Sequence, residues 1–293
     1  MYKKAIIVTG GSGYILKSFN FNKFENVFDI FFIRNKKKFK EDISYQIEDL
    51  EILFSEINNN LYDDILFISF GSHLGGDDPG LYFKSIENIK KVIFYLKNTK
   101  KNIYIYHASS FSIFNPNKNC SLFSFLNTEE IDLRGAYSFS KKEQNKIITE
   151  FTLKNKRIRT KLVHIGHVYD NKNKLINLFK AKSKKISIFV FSILYSPFKL
   201  INPTSVKVIH DDINRFIKNY KKESNRIVDY PLTDKKKTIS LFRIFLKDKL
   251  LFISPIPVFV CTISPLIIKV LPKHSNLSYL LKKYMQMNNS VKL

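Results

Sequence analysis

Short, mostly apolar runs alternate with stretches of helical spacing through the first two-thirds of the chain. Ala5–Val8, Phe28–Ile33, Ile65–Phe70, Ile103–Tyr106, Lys161–His164 and Val206–Ile209 read as strands. Segments such as Ile86–Lys97 and Tyr137–Leu153 place apolar residues at three- and four-residue intervals and read as helices. Strands that are apolar on both faces, separated by amphipathic helices, predict a parallel sheet covered on both sides, an α/β doubly wound architecture. No internal repeat or low-complexity linker interrupts the pattern. After about residue 170 it loosens.

The first strand runs into three glycines, in Ile6-Ile7-Val8-Thr9-Gly10-Gly11-Ser12-Gly13-Tyr14-Ile15. A strand, a glycine turn and then a helix is the order that a dinucleotide pyrophosphate needs. Small residues admit the phosphates to the backbone, and the helix N-terminus faces their charge. The chain after the glycines is compatible with such a helix. Two phosphate motifs compete here. Gly10-x-x-Gly13 fits a dinucleotide turn with Leu16 in place of the third glycine. Gly11 followed by Leu16-Lys17-Ser18 is a near miss to a P-loop, which needs a glycine beside its lysine. The dinucleotide reading loses less, because its last glycine mainly serves helix–strand packing. With it the fold becomes Rossmann-type.

Composition removes several alternatives. The 293 residues carry a formal net charge of +24, but 42 of the 49 basic residues are lysine and they are spread along the chain. Bidentate recognition of bases or phosphates calls for arginine, so no specific nucleic-acid partner is expected. Cys120 and Cys261 offer neither a disulfide framework nor metal spacing, and the six histidines show no metal motif. No metal is expected. The four apolar residues after Lys3-Lys4 are too few for a signal peptide, so a cytoplasmic location is expected. Leu250–Ile268 is uncharged over nineteen residues but contains Pro255, Pro257 and Pro265. Three prolines argue against a spanning helix. The stretch reads as the hydrophobic wall of a substrate lobe, with peripheral membrane contact through 250–268 as the alternative.

Chemistry concentrates in Ala136-Tyr137-Ser138-Phe139-Ser140-Lys141, where Tyr137 and Lys141 lie one helical turn apart. A phenol is a poor base near neutral pH, and a nearby ammonium lowers its pKa. Such a pair can pass a proton to or from a hydroxyl or carbonyl. In a lysine-rich chain an accidental pair on a solvated helix is the plain alternative. Ser109-Ser110, at the end of the strand that includes Ile103–Tyr106, favours the catalytic reading, because ligands of such sheets bind beyond strand ends.

These residues resemble the extended short-chain dehydrogenase/reductase superfamily, the NAD(P)-dependent epimerase/dehydratase group, over nearly the whole chain. Its T-G-x-x-G-x-x-G is similar to Thr9–Leu16, its Asp-Leu after the third strand to Asp49-Leu50, and its fourth-strand end to Phe70-Gly71-Ser72-His73-Leu74. Its helical Asn pattern resembles Asn88 and Val92. Its S-S-x-x-x-Y-G resembles Ser109–Asn115, and its Y-x-x-x-K is intact as Tyr137 and Lys141. Its R-P-x-x-V-Y-G resembles His164–Asp170, and its V-x-D-V-A resembles Ile209–Ile213. Eight elements in the right order carry the resemblance. Departures are Leu16 for glycine, Phe114-Asn115 for Tyr-Gly, and His164 for arginine. His164-Ile165-Gly166-His167 also spells a tRNA-synthetase signature, but it follows a late strand and lacks the partner lysine loop.

The resemblance implies an oxidoreductase or epimerase that acts by hydride transfer on a nucleotide-activated sugar, as in nucleotide-sugar metabolism and polysaccharide biosynthesis. Tyr137 would be the acid/base, Lys141 would bind the nicotinamide ribose, and Ser110 would orient the reacting oxygen. Gly10, Gly11, Ser12, Gly13, Tyr14, Ile15, Arg34, Asp49, Leu50, Phe70 and Gly71 would join Tyr137 and Lys141 around the cofactor. Ser110, His73 and His167 would face substrate. The second strand ends Ile33-Arg34-Asn35-Lys36 without a carboxylate, which predicts NADP, with NAD as the alternative. Residues 1–168 are expected to form the NAD(P)-binding domain. Residues 169–293 form mainly a smaller C-terminal substrate lobe, with 204–220 returning to the sheet. Helix-paired homodimers are frequent in the resembling family. The alternative function is a non-catalytic NADP sensor or a membrane-docked binding protein.

Overall fold

A computed structural model of the chain describes residues 3–34, 44–60, 62–71, 79–113, 136–169, 203–222 and 224–234. The chain divides into two compact units. The first comprises Met1–Ser110, Gly135–His164 and Ile209–Tyr230, and the second comprises the rest.

The first unit is built on a seven-stranded sheet. Its strands are β1 (Lys3–Thr9), β2 (Asp29–Ile33), β3 (Ser44–Tyr45), β4 (Tyr62–Ser69), β5 (Asn102–Ser110), β6 (Ile158–Ile165) and, numbered ninth in the chain, β9 (Ile227–Leu232). The order across the sheet is β3-β2-β1-β4-β5-β6-β9, and the pairs from β3 through β5 are parallel. β1 lies at the reversal of strand order, and Ala5, Ile6, Ile7 and Val8 are fully buried. That explains their unbroken apolar run: each face of the strand is covered. In the second unit, β7 (His167–Tyr169) pairs parallel with β8 (Pro203–Ser205).

The helices bury the faces that their spacing marks. α1 (Leu50–Asn59) turns Leu50, Leu53, Phe54 and Ile57 inward. α2 (Pro79–Asn98) opens on a proline at the first helical position, where no amide is lost, and buries Ile86, Ile89, Val92 and Leu96. α3 (Ala136–Lys154) differs. Its inner face is polar in the first half, with Ser140, Lys141, Gln144 and Asn145 buried. It turns apolar in the second half, at Ile148 and Phe151.

Two expectations are corrected. Val206–Ile209 is not a strand but the first turn of α4 (Val206–Asn219). Its β-branched residues suggest extension. However, Val206, Ile209, Ile213, Phe216 and Ile217 recur at helical intervals and are all buried, so the longer period prevails. The helix expected after the glycine turn is also absent. Leu16–Ser18 and Asn22–Phe24 are three-residue 3-10 turns. Phe19, Phe21, Phe24 and Phe28 are all buried, at intervals of two, three and four that no single helix face can satisfy. Their rings pack on one another and on β2, with Phe21 edge-on to Phe32 at 5.4 Å. The stretch 250–268 lies outside the described residues. Among the described residues no helix is long and apolar enough to cross a membrane.

Candidate active site

The glycine turn sits where the ends of β1 and β4 meet. Gly10 has φ +73°, and a Cβ there would lie 1.7 Å from the Phe70 carbonyl oxygen. Only glycine fits, both for the left-handed backbone and for the approach of β4. Gly11 lies against the Phe32 ring, 2.8 Å from where its Cβ would be. The turn closes through Gly13 N donating to Gly10 O at 2.8 Å. Ser12 and Tyr14 project outward, and Leu16 is buried where the motif has its third glycine. Phe70 stacks on Tyr106, and Gly71 faces open space. The structure therefore brings Gly10–Ile15, Phe70 and Gly71 to one place. A three-residue turn, not a helix, follows at Leu16–Ser18, so neither the P-loop nor the dinucleotide motif finds its helix N-terminus behind the glycines.

Ser110 ends β5, and Tyr137 lies in the first turn of α3. The Ser110 side chain acts on Tyr137 in the direction that favours the phenolate. Burial outweighs it and pushes the Tyr137 pKa up to about 12, with Tyr82 adding to the rise. This differs from the expectation that Lys141 would lower it. Lys141 lies one turn along the same buried face, with its side chain 4% exposed, and donates from Nζ to the Ala108 carbonyl at 2.7 Å. Desolvation brings its pKa down to about 7. At neutral pH the pair is a phenol beside a lysine close to its own titration point.

Further polar groups surround this pair. His107, fully buried, shares a 3.0 Å hydrogen bond between Nδ1 and Ser69 Oγ. Burial first, then the charges of Lys141 and His164, hold its pKa well below the ordinary histidine range, so its imidazole is neutral. Asn145 Nδ2 donates to Ser109 Oγ at 2.8 Å. Gln144 Nε2 donates to Ser85 Oγ and Ser140 Oγ at 2.9 and 3.0 Å, tying α3 to α2. Sequence reading passed over Asn145, although Tyr137, Lys141 and Asn145 form an i, i+4, i+8 polar stripe that marks one face.

The remaining predicted residues are dispersed around the strand ends. Arg34 follows β2, lies 8% exposed, and sets its guanidinium over the Phe32 ring at 4.7 Å. Asp49 lies between β3 and α1, where its carboxylate accepts from Gln46 N at 3.1 Å. Leu50 is in the core. His164, at the arginine place of the motif, is buried and paired with Asp229. His167 falls in β7 of the second unit. His73 and Phe114-Asn115 lie outside the described residues. Among the described residues no cluster of three His, Cys, Asp or Glu side chains is arranged to hold a metal ion.

The chemistry of the donor set fits a nicotinamide dinucleotide. The turn exposes backbone at the strand-order reversal, where such sheets bind nucleotides. Thr9 Oγ1, buried just before Gly10, has no hydrogen-bond partner among the described residues. Tyr137, Ser110 and Lys141 stand two strands away.

No protein-family model matches the chain, and no curated protein matches it. Solved structures do. The UDP-Glc/GlcNAc 4-epimerase of Campylobacter jejuni superposes with a TM-score of 0.56 at 12% identity, over 97% of this chain and 99% of that one. L-threonine dehydrogenase from Phytophthora infestans gives 0.59 at 12%, over 96% and 97%. MoeE5 in complex with UDP-glucuronic acid and NAD gives 0.58 at 11%, over 83% and 81%. Together with the strand order and the glycine turn at its reversal, these likenesses show that this chain shares a Rossmann-type α/β fold with those enzymes.

Proposed function

We propose that this chain is an NAD(P)-dependent oxidoreductase or epimerase that acts on a hydroxyl or keto carbon of a nucleotide-activated sugar, with Tyr137 as acid/base. The observation that carries the reading is the buried Tyr137–Lys141 pair at the end of β5, with Ser110 acting on Tyr137 and Lys141 held on Ala108 O. The sugar nucleotide follows from the neighbours, two of whose names include UDP-sugars. The threonine dehydrogenase among them shows that the fold alone does not choose the substrate.

When bound, the nicotinamide supplies or accepts the hydride. The protein handles the proton. With its pKa raised by burial, Tyr137 is a phenol at neutral pH and is ready to donate to a keto oxygen as hydride arrives at the carbon. In the reverse direction it must receive the hydroxyl proton, and the Ser110 hydroxyl and the Lys141 charge then stabilise the phenolate. Ser110 also orients the reacting oxygen. Lys141 spends one donor on Ala108 O and keeps others for the nicotinamide ribose.

NADP is the preferred nucleotide in this reading. Arg34 follows the end of β2, with its guanidinium over the Phe32 ring, and an arginine at that strand end would accommodate a 2′-phosphate. Residues 169–293 serve mainly as the substrate lobe, apart from Ile209–Tyr230 in the first unit, and the enzyme works in the cytoplasm. The test is a titration of the purified protein with NADPH and NADH, followed by NADPH oxidation with keto-sugar nucleotides. Preference for NADPH with turnover is expected. Tightly retained NAD without NADPH oxidation would replace the reductase by an epimerase. Binding of neither nucleotide would overturn the enzyme reading in favour of a non-catalytic protein.

A further inference from the structure

The glycine turn has to keep its shape without a helix of its own. In an α-helix the carbonyl of Ile15 would accept from the amide four residues on, that of Phe19. Here the Phe19 amide donates instead to Leu16 O, at 3.0 Å, and closes a 3-10 turn. The Ile15 carbonyl is taken by a side chain from 195 residues further along the chain: His210 Nε2, on α4, at 2.8 Å. A carbonyl only accepts, so Nε2 carries the hydrogen. The His210 ring is itself located by Phe19, edge-on at 5.2 Å, and the Lys23 ammonium caps the far arrangement 4.8 Å from the Phe19 ring. His210 therefore supplies, from outside, the hydrogen bond that the missing helix would have supplied from within.

We propose that His210 is a positioning residue of the dinucleotide loop. It acts through Ile15 and does not touch the nucleotide. The inference rests on the dinucleotide reading of the turn. It assigns α4 a task in cofactor binding: the end of the loop nearest Gly13 and Tyr14 is held by a tether to α4, while the other end is held by Phe70 closing on Gly10.

The test uses two variants and two readouts. His210→Phe keeps a ring against Phe19 and removes only the donor. His210→Gln restores an amide donor at a similar reach. In the nucleotide-free protein, amide hydrogen exchange at Gly13 and Lys17 should quicken about tenfold in His210→Phe, the loss of one hydrogen bond, and return towards wild type in His210→Gln. Exchange in β4 and β5 should not change. Nucleotide Kd should rise by a similar factor in His210→Phe and recover in His210→Gln, with kcat at saturation unchanged. Unchanged loop exchange in His210→Phe would overturn the proposal, as would quickening spread equally over β4 and β5, or failure of glutamine to rescue. Failure of the wild-type protein to bind either nucleotide would instead remove the dinucleotide reading, and loop exchange would still decide whether His210 holds the loop.

Discussion

Lys141 carries a measurable thermodynamic signature. Its ammonium is buried at 4% exposure, and desolvation lowers its pKa from 10.5 to about 7. Between those two values the unfolded chain holds a proton that the folded chain has released, so stability rises with pH through that window. The cost is complete below pH 7 and absent above 10.5. The gap, at about 1.4 kcal/mol per pH unit, amounts to about 5 kcal/mol in full. From pH 7 to pH 9 the folded protein should recover about 2 kcal/mol of it. Lys141→Met keeps the length of the side chain and removes the charge. It also leaves the Ala108 carbonyl without its donor, a loss of about 1 kcal/mol that does not vary with pH. The quantity to read is therefore the slope. Urea unfolding of both proteins at pH 7, 8 and 9 should show the wild type gaining about 2 kcal/mol relative to Lys141→Met, with turnover abolished in the variant. Parallel stability curves for the two proteins would refute the account of Lys141 as a buried charge maintained for function.

Other substitutions probe the same site. Tyr137→Phe should lose turnover by about 10²- to 10⁴-fold while keeping nucleotide affinity, as read by steady-state kinetics beside a binding titration. Equal turnover in the variant would remove Tyr137 from the acid/base role. Gly10→Ala should cost several kcal/mol and melt markedly earlier, because its Cβ meets the Phe70 oxygen at 1.7 Å in a left-handed backbone. A melting temperature like that of the wild type would show that β1 and β4 do not close as described.

What could be read from the sequence depended on whether a feature is local. The central strands were legible because β1, β4 and β5 are buried on both faces and their residues say so directly. The Tyr137–Lys141 spacing needed only helix geometry. The stretch after Gly13 was misjudged because the motif implied a helix while Phe19, Phe21, Phe24 and Phe28 obeyed the sheet they pack on. Tertiary burial of four rings outweighed local form. Val206–Ile209 was misjudged for the opposite reason: four residues, three of them β-branched, are too short a window to reveal a fourteen-residue helix. The partner of Lys141 could not be read at all. A backbone carbonyl such as that of Ala108 leaves no mark in sequence. For the same reason the direction of the Tyr137 shift was missed, since burial by surrounding chain dominates it.

The buried face of α3 shows how the site is held. An apolar helix against β5 would cost nothing in desolvation, yet Ser140, Lys141, Gln144 and Asn145 are all buried there. Each is tolerable only with a partner. Lys141 takes Ala108 O, Asn145 takes Ser109 Oγ, and Gln144 and Ser140 take Ser85 on α2. Two of these anchors fall on consecutive residues of β5, immediately before Ser110. Hydrogen bonds are directional, so together they set the rotation and the axial position of α3 against β5, which greasy contacts alone would leave free to slide. Tyr137 lies one turn above the first anchor. Those anchors therefore fix where Tyr137 stands at the end of β5.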